Sequence, residues 1–316
     1  MKKIFSITAG LAVSAALLWL AFRSADPRAL AAVFAGLSAG PLLLILITVL
    51  GELALRGLKW KLLLDPAGKV RFWDAAKIET AGLALNNILP LRLGELARAA
   101  FGSELFGISA ITVLATILAE KVLDMAALLM LAFAAAGAGG LPGWLSGGRA
   151  WAALAAAAAI LLILLGRAGR SGRIAQTADK LKLGLAALKS PGRAAGVLTL
   201  AVLQWLLNAL NYYWLGLAFK AGGIGLPESI LLSFTGAAAS SAPGMPGYFG
   251  GFELAVSTVA SAHGLQKDAA LAYALGAHLA SYFIITAAGV LFIYTMGQSL
   301  GGVWSKFSYG KDAETA

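Results

Sequence analysis

The sequence contains no cysteine, only two histidines and few charged residues for its length of 316. The absence of cysteine excludes disulfides, cysteine-ligated zinc and thiol nucleophiles, and two histidines leave little for a histidine-built metal site. We therefore expect no metal and no cofactor. Charged residues make up 13% of the chain and hydrophobic residues 59%, whereas soluble domains carry roughly 25% charged residues. Most of the surface must therefore face lipid.

Long apolar stretches predict membrane-spanning helices, because a span needs about 20 mostly apolar residues. We predict six full spans, at 4–22, 40–64, 105–136, 150–166, 194–219 and 269–296. The first stretch follows Lys2 and Lys3, as a signal peptide would. It is long for a signal peptide and no small-x-small cleavage site precedes a soluble domain, so we interpret it as a retained span.

Two further apolar segments, 78–98 and 229–266, are interrupted by residues that disfavour a helix. The first contains Asn-Asn-Ile-Leu-Pro at 86–90, and the second contains Ser-Ser-Ala-Pro-Gly-Met-Pro-Gly at 240–247. Proline removes a backbone donor, and broken backbone at membrane depth is tolerated only inside protein or beside water. We predict that each segment is a re-entrant hairpin of two half-helices.

Positive charge lies between the apolar stretches and indicates orientation. Loop 167–193 holds seven Lys or Arg residues against one Asp, and loop 65–77 holds three more. Cytoplasmic loops collect such charges, so we expect both termini in the cytoplasm and the chain in the bacterial cytoplasmic (inner) membrane. Orientation and anionic headgroups then explain the net charge of +10, and no nucleic-acid partner is expected.

The order of spans and hairpins predicts an all-α polytopic membrane protein with an inverted-topology repeat. Halves 1–140 and 141–316 each contain three spans with a hairpin before the third, inside a single transmembrane domain 1–316. A shift of 158 residues places Glu95 on Glu253 and Glu120 on His278. The hairpin tips would then meet near the midplane, where such transporters bind their substrate.

Ionisable residues inside spans cost roughly 2.5–3.5 kcal/mol each, so each one is a functional candidate. Glu52 and Arg56 are spaced to pair along one helix face, either for packing or for function. Lys59 and Trp60, a turn later, are expected at the membrane interface.

Glu120 and Asp124 are also spaced by four, with Lys121 beside them. These carboxylates either hold a proton or a cation, or anchor arginines from a neighbouring helix.

Arg92, Glu95 and Arg98 follow Pro90 at intervals of three and are expected on one helix face. A helix N-terminus with two arginines can bind an anion, and the anion available in a membrane is a lipid phosphate. The alternative is a cytoplasmic helix with solvated charges.

The second hairpin carries Pro246, Gly247, Gly250 and Glu253, and His278 follows in the last predicted span. Glycines let the backbone approach a ligand closely. Glu253 either contributes to a ligand site formed by these glycines or only caps its helix and packs there.

These motifs resemble a known family. The run 86–98, followed by Glu-Lys-Val-Leu-Asp at 120–124, is similar to the signature of the lysylphosphatidylglycerol synthase transmembrane-region family, which are flippase-like proteins. The second hairpin from Pro246 to Glu253, with a later histidine such as His278, is similar to the family's second element. Lys121 replaces a common arginine there, and Tyr248 replaces a common glycine.

The resemblance implies movement of lipid across the bilayer. In multiple peptide resistance factors this region is fused to a soluble aminoacyl-transferase domain, and residues 297–316 leave no room for one, so we expect a transporter and no enzyme. The implied partner is a phospholipid, a polyprenyl-phosphate-linked lipid or a hopanoid. The sequence has no Gly-x-x-x-x-Gly-Lys-Ser/Thr motif, so transport is expected to be downhill or ion-coupled.

The expected substrate-binding residues come from both hairpins and the second span: Arg56, Asn87, Arg92, Glu95, Arg98, Pro246, Gly247, Gly250 and Glu253. The expected proton or ion-pair residues are Glu52, Glu120, Lys121, Asp124 and His278. Two alternatives remain open. One is an intramembrane lipid-modifying enzyme that uses Glu95 and Glu253 as acid and base. The other is a non-transporting scaffold for a lipid-synthesis enzyme.

Overall fold

The computed structural model describes residues 19–23, 25–89, 92–136, 172–241 and 246–298. These residues contain helices and turns, and no strand occurs among them. The predicted span 150–166, most of the predicted span 4–22, Pro90 and the chain termini lie outside the described residues. The all-helical prediction is confirmed for the part that is described.

Ten helices are bounded within these residues. They are α1 (Pro27–Ala35), α2 (Ala39–Leu64), α3 (Phe72–Ile88), α4 (Leu93–Phe106), α5 (Ala110–Ala136), α6 (Gly172–Gly184), α7 (Pro191–Ala218), α8 (Leu226–Ser241), α9 (Gly251–Ala262) and α10 (Lys267–Thr295). Short 3-10 helices lie at Ala186–Lys189 and Pro246–Tyr248.

Three of the described helices, α2, α7 and α10, are long and apolar enough to cross a membrane. They match the predicted spans 40–64, 194–219 and 269–296 to within a few residues. The predicted span 105–136 is wrong at its start, because Gly107 ends α4 with a left-handed φ of 65° and α5 begins at Ala110. The chain is thus a helical, multi-pass membrane protein.

Helices α2 and α7 pack against each other in opposite directions. The Ser38 N–H, just before α2, donates to the Ala218 carbonyl at the end of α7 at 3.1 Å. At the other end of the pair, Gly196 lies beside Leu62. Since α2 has 26 residues, this seam is about 39 Å long, and it defines two ends of the molecule.

Helices α3 and α4 form the first hairpin. Leu89 at the turn is extended, with φ −97° and ψ 144°, as a residue before proline should be. Gly82 of α3 lies against Gly94 and Arg98 of α4, so the two helices run antiparallel. Gly68 and Ile108 are in contact at the open end of this hairpin.

Helices α8 and α9 form the second hairpin in the same way. Gly236 of α8 faces the ring of Phe252 in α9, and Gly223 faces the His263 carbonyl at the open end. The helix breaks in both hairpins therefore lie where the prolines and glycines predict them. Re-entrance into the membrane and an internal repeat stay predictions.

The two hairpins start from opposite ends of the molecule. The first follows the C-terminal end of α2, and the second follows the C-terminal end of α7, which lies beside the start of α2. Their tips meet, since α3 contacts the turn Pro246–Tyr248. Helix α10 passes this junction near its middle, where Thr286 accepts a hydrogen bond from the Asn87 amide at 2.9 Å.

The close packing inside the first hairpin gives a testable prediction. A Cβ at Gly94 would lie 2.0 Å from the Gly82 carbonyl oxygen, so Gly94→Ala must push α3 and α4 apart. We expect a loss of about 1–3 kcal/mol of stability, measured as a lower melting temperature of the detergent-solubilised protein. Gly192→Ala is the matched control, because a Cβ there meets no atom within 4 Å. Equal melting of the two variants would contradict this packing.

Candidate functional site

Five charged side chains are enclosed between the first hairpin and the long helices, and we call them the ion cluster. They come from α2, α3, α4 and α5, and none of the five residues is more than 6% exposed: Lys59, Glu79, Arg98, Glu120 and Asp124. Buried charges are tolerated only when they are paired, so their contacts are expected to hold these helices together.

Lys59 connects α2 to two other helices. Its ammonium donates hydrogen bonds to Asp124 of α5 and to the side-chain oxygen of Gln204 in α7. The Glu120 carboxylate lies 3.3 Å away. Lys59 is fully buried and thus lies inside the bundle.

Arg98 connects α4 to α3 and α5. It donates a hydrogen bond to Glu120 at 2.8 Å and forms an ion pair with Glu79. Its guanidinium also lies 4.5 Å from the centroid of the Trp60 ring, a cation–π distance. Arg98 thus pairs with both Glu79 and Glu120. This arrangement agrees with the second of the two alternatives for Glu120, in which it anchors an arginine from a neighbouring helix.

A path of polar contacts leads from the ion cluster toward the hairpin tips. Glu95 lies 3.4 Å from Arg98 and accepts a salt bridge from Lys121 at 2.9 Å. The Asn86 amide, on the last turn of α3, donates at 3.5 Å to Glu95 Oε1, the oxygen that Lys121 also contacts. Glu95 therefore lies between the buried charges and the tip of the first hairpin.

Glu52 and Arg56 form a separate pair on α2. Their salt bridge is 2.8 Å long, and Asn208 of α7 donates to the second Glu52 oxygen at 3.1 Å. Ser233 of α8 donates in turn to Asn208 at 2.7 Å. Asn208 therefore links α2 to α8 through interhelical hydrogen bonds.

A cavity of about 160 Å³ lies between the two hairpin tips and α10, and we call it the tip cavity. The polar side chains in its lining come from both hairpins and from α10, among them Asn86, Asn87, Tyr248, His278 and Tyr282. Small-molecule sites are concave and have a few convergent polar groups. The tip cavity is therefore our candidate ligand site.

Arg92 crosses from the first tip to the second. Its guanidinium donates to the Ser240 carbonyl and lies 5.3 Å from the centroid of the Tyr248 ring. Arg92 and Tyr248 both have left-handed backbone, with φ of 56° and 59°. Such a conformation costs about 1–3 kcal/mol in a non-glycine residue, which explains why glycine suits position 248. Strain at both tips is typical of functional segments.

Two polar atoms near the tip cavity lack partners among the described residues. They are the Arg92 Nε donor and the Asn86 Oδ1 acceptor. A buried polar atom without a hydrogen bond costs free energy, so a bound ligand or water that pairs with these atoms would stabilise the site.

Glu253 and His278 form a buried pair at the same cavity. The Glu253 carboxylate accepts the Gly250 N–H at 2.6 Å and contacts His278 Nδ1 at 2.6 Å. The rings of Phe249 and Phe252 lie with their centroids 4.5 Å from that of His278. With Nδ1 engaged, Nε2 is the histidine nitrogen left for a ligand.

Most of the predicted site residues lie in two groups. Asn87, Arg92, Gly247, Gly250, Glu253 and His278 surround the hairpin tips, whereas Arg98, Glu120 and Asp124 lie in the ion cluster. Glu95 and Lys121 lie between the groups, Glu52 and Arg56 lie apart, and only the backbone of Pro246 is described.

Two expectations from the sequence are corrected by this geometry. Arg92, Glu95 and Arg98 do not act from one helix face, because α4 begins at Leu93 and Arg92 extends to the other hairpin. Arg98 is 1% exposed and pairs with the carboxylates of Glu79 and Glu120, so it lies inside the bundle and away from the hairpin tip.

Lys59 and Trp60 do not anchor the chain at the membrane interface, because both are fully buried.

The sequence analysis missed Glu79 and the role of Lys59. Glu79 lies inside the apolar segment 78–98, and an ionisable residue there is a functional candidate by the rule applied to the other spans. Lys59 lies seven residues after Glu52 and three after Arg56, on the same face of one helix. The place of Glu79 in an apolar segment and the spacing of Lys59 were therefore both visible in the sequence.

Comparison with known proteins identifies the family. The family model for the lysylphosphatidylglycerol synthase TM region matches residues 7–289, which contain both hairpins, the ion cluster and the tip cavity. The resemblance stated from the motifs is confirmed. No curated protein sequence matches the chain.

The ion cluster predicts a strong effect of Lys59→Met. The substitution leaves Asp124 and Glu120 buried without their shared cation, and breaking a buried pair costs about 3–5 kcal/mol. We expect a large fall in melting temperature, part of which the second substitution Asp124→Leu restores. Lys61→Met is the matched control, because the Lys61–Asp65 pair is partly exposed and such pairs contribute about 0–1 kcal/mol. Similar melting of the two lysine variants would rule out an ion cluster that stabilises the fold.

Proposed function

Because the chain belongs to the lysylphosphatidylglycerol synthase TM region family, we propose that it translocates an anionic or isoprenoid-linked lipid across the cytoplasmic membrane. Membership supports a function that concerns membrane lipids. Translocation is a more specific function than membership alone supports, and the main observation in its favour is the tip cavity.

The tip cavity supports a phosphate-bearing headgroup as the ligand. Arg92 has an Nε donor without a partner among the described residues, and His278 has its Nε2 directed away from Glu253. A guanidinium binds phosphate oxygens through two parallel donors. Phospholipids and polyprenyl-phosphate-linked lipids offer this group, and a hopanoid offers it only through its substituents.

The contacts between the tips support a gating role for the hairpins. Arg92 bonds the Ser240 carbonyl and stacks on Tyr248, so the first tip is attached to the second. A phosphate that takes over the Arg92 donors would release Ser240. Strain in the backbone of Arg92 and Tyr248 lowers the cost of that opening. Parting of the tips would then open the cavity to one side of the membrane.

We propose six full spans and two re-entrant hairpins related as an inverted repeat, with both termini in the cytoplasm of a bacterial cell. Hairpins that start from opposite ends of the α2–α7 seam and meet near the middle of α10 support this arrangement. The positive loops 65–77 and 167–193 support the orientation.

The absence of cysteine makes this topology testable by single-cysteine labelling. Lys69→Cys and Ala110→Cys flank the first hairpin, and Gly222→Cys and Gln266→Cys flank the second; all four positions are exposed. In intact cells, a membrane-impermeant maleimide should label the second pair and should label the first pair only after permeabilisation. Opposite labelling within either pair would mean that its two half-helices together cross the membrane once, as one broken span, and would contradict the re-entrant hairpin.

A second candidate, an intramembrane lipid-modifying enzyme, is favoured by the Glu253–His278 pair. A carboxylate that orients a histidine at a cavity is the usual support of a general base. Translocation remains our conclusion because the Arg92 bridge joins two oppositely directed hairpins, which a lipid-modifying site does not require.

Substitution of Arg92 tests the proposed function. We expect Arg92→Ala to keep the fold and to reduce lipid movement to the level of protein-free vesicles, because the headgroup loses its cation. The measurement is dithionite quenching of fluorescent phosphatidylglycerol in vesicles of phosphatidylethanolamine and phosphatidylglycerol. Arg71→Ala is the matched control, since the Arg71 side chain is 85% exposed and should move lipid at the wild-type rate.

The same vesicles separate the alternatives. Wild-type movement in Arg92→Ala would contradict the headgroup site. A chemically altered lipid, lost in His278→Phe, would indicate the enzyme. No movement by the wild-type protein and no altered lipid would favour a scaffold for a lipid-synthesis enzyme.

A further inference from the structure

The charges of the ion cluster do not balance. Two cations, Lys59 and Arg98, contact three carboxylates, Glu79, Glu120 and Asp124. The pairs around it are already balanced one to one, since Arg56 pairs with Glu52 and Lys121 with Glu95. With every group ionised, the enclosed cluster would carry one excess negative charge.

An uncompensated charge in this position is expensive. Each ion buried away from water costs several kcal/mol unless a partner compensates it, and a carboxyl group removes that cost by binding a proton. Little water reaches the cluster, because Lys59, Glu79 and Glu120 are fully buried and so is Trp60, whose ring lies against Arg98.

We propose that the ion cluster binds one proton and that Glu79 holds it. Asp124 accepts a hydrogen bond from Lys59, and Glu120 accepts one from Arg98. Glu79 shares only the Arg98 guanidinium, which two other carboxylates also contact. Among the described residues, both Glu79 oxygens and Glu120 Oε1 are buried without a hydrogen bond. Glu120 Oε1 lies 3.3 Å from the Lys59 ammonium and Glu79 Oε2 pairs with Arg98, so Glu79 Oε1 is the oxygen with neither a hydrogen bond nor an ion pair. This oxygen is the position left for a proton.

The charged groups that act on Glu79 come from three helices. Arg98 approaches from α4, Glu120 and Lys121 from α5, and Arg56 from α2. Helix α10 faces the adjoining residue of α3 with Gly289, a residue without a side chain. The positive groups other than Arg98 are engaged by Glu52 and Glu95, so they do not neutralise Glu79 in full.

Release of this proton would act on the first hairpin. The new negative charge lies between α3 and α4 and competes with Glu120 for Arg98, which alters the link between α4 and α5. Glu95 contacts the same guanidinium and reaches the tip through Asn86. Loss of the proton would thereby change the contacts that position the first hairpin tip at the tip cavity. This coupling rests on the proposed lipid movement, whereas proton binding does not.

Infrared spectroscopy of the purified protein at neutral pH tests the proposal, because a protonated carboxyl has a carbonyl band that a carboxylate lacks. We expect this band in the wild-type protein and its loss in Glu79→Gln, which mimics the protonated side chain and should keep the fold. Glu228→Gln is the control, since Glu228 lies at the far end of α8 and accepts the Gly225 N–H. It should keep the band.

Charge balance gives a sharper test. Glu120→Gln leaves two cations and two carboxylates, so we expect the proton to leave Glu79 and the band to disappear although Glu79 is intact. Labelling the wild-type protein with ¹³C-glutamate should shift the band, and labelling with ¹³C-aspartate should not, which assigns the residue type even if a variant fails to fold.

Three results would overturn the proposal. They are the absence of the band in the wild-type protein, its persistence in Glu79→Gln, and a melting temperature that rises with sodium but not with potassium in the wild-type protein only. The last result would assign a sodium ion to the cluster. A band that behaves as expected in a protein that moves no lipid would leave proton binding intact and would contradict only the proposed function.

Discussion

The pairing of Arg98 with carboxylates from α3 and α5 is the interaction on which the rest of the structure depends. Its guanidinium is buried against Trp60, and its aliphatic stem passes over Gly82, where an added Cβ would lie 2.3 Å from Arg98 Cγ. Removing one partner of a buried pair costs several kcal/mol, so this contact determines how α4 lies on α3. The position of the first tip, and of Arg92 on it, follows from that packing.

The two hairpins are held by different physical means. The first is anchored by charges that tolerate little displacement, because the energy of a buried ion pair depends steeply on distance. The second has one buried polar pair, Glu253–His278, and is otherwise held by aromatic and aliphatic contacts, among them those of Phe252 and Tyr273, together with the cap that Glu253 provides to Gly250. Apolar packing can adjust with smaller losses. We therefore expect the second hairpin to move relative to the first.

The two departures from the family motif have structural counterparts. Tyr248 has the left-handed backbone that a glycine would adopt without strain, and in exchange its ring stacks on Arg92. Lys121 makes a 2.9 Å salt bridge with Glu95, where an arginine could bind both carboxylate oxygens. The two changed positions both lie along the polar path from the ion cluster to the tip cavity.

The amino-acid sequence by itself determined the membrane class, the long helices α2, α7 and α10, and both helix breaks, because hydrophobic length, proline and glycine act locally along the chain. The Glu52–Arg56 pair was readable for the same reason, since it lies within one helix. Only the tertiary structure decided that Arg98 pairs with Glu79 and that Lys59 reaches Gln204, 145 residues away. Such contacts depend on which helix faces pack together, and a single charged residue in an apolar segment does not specify its partner on another helix.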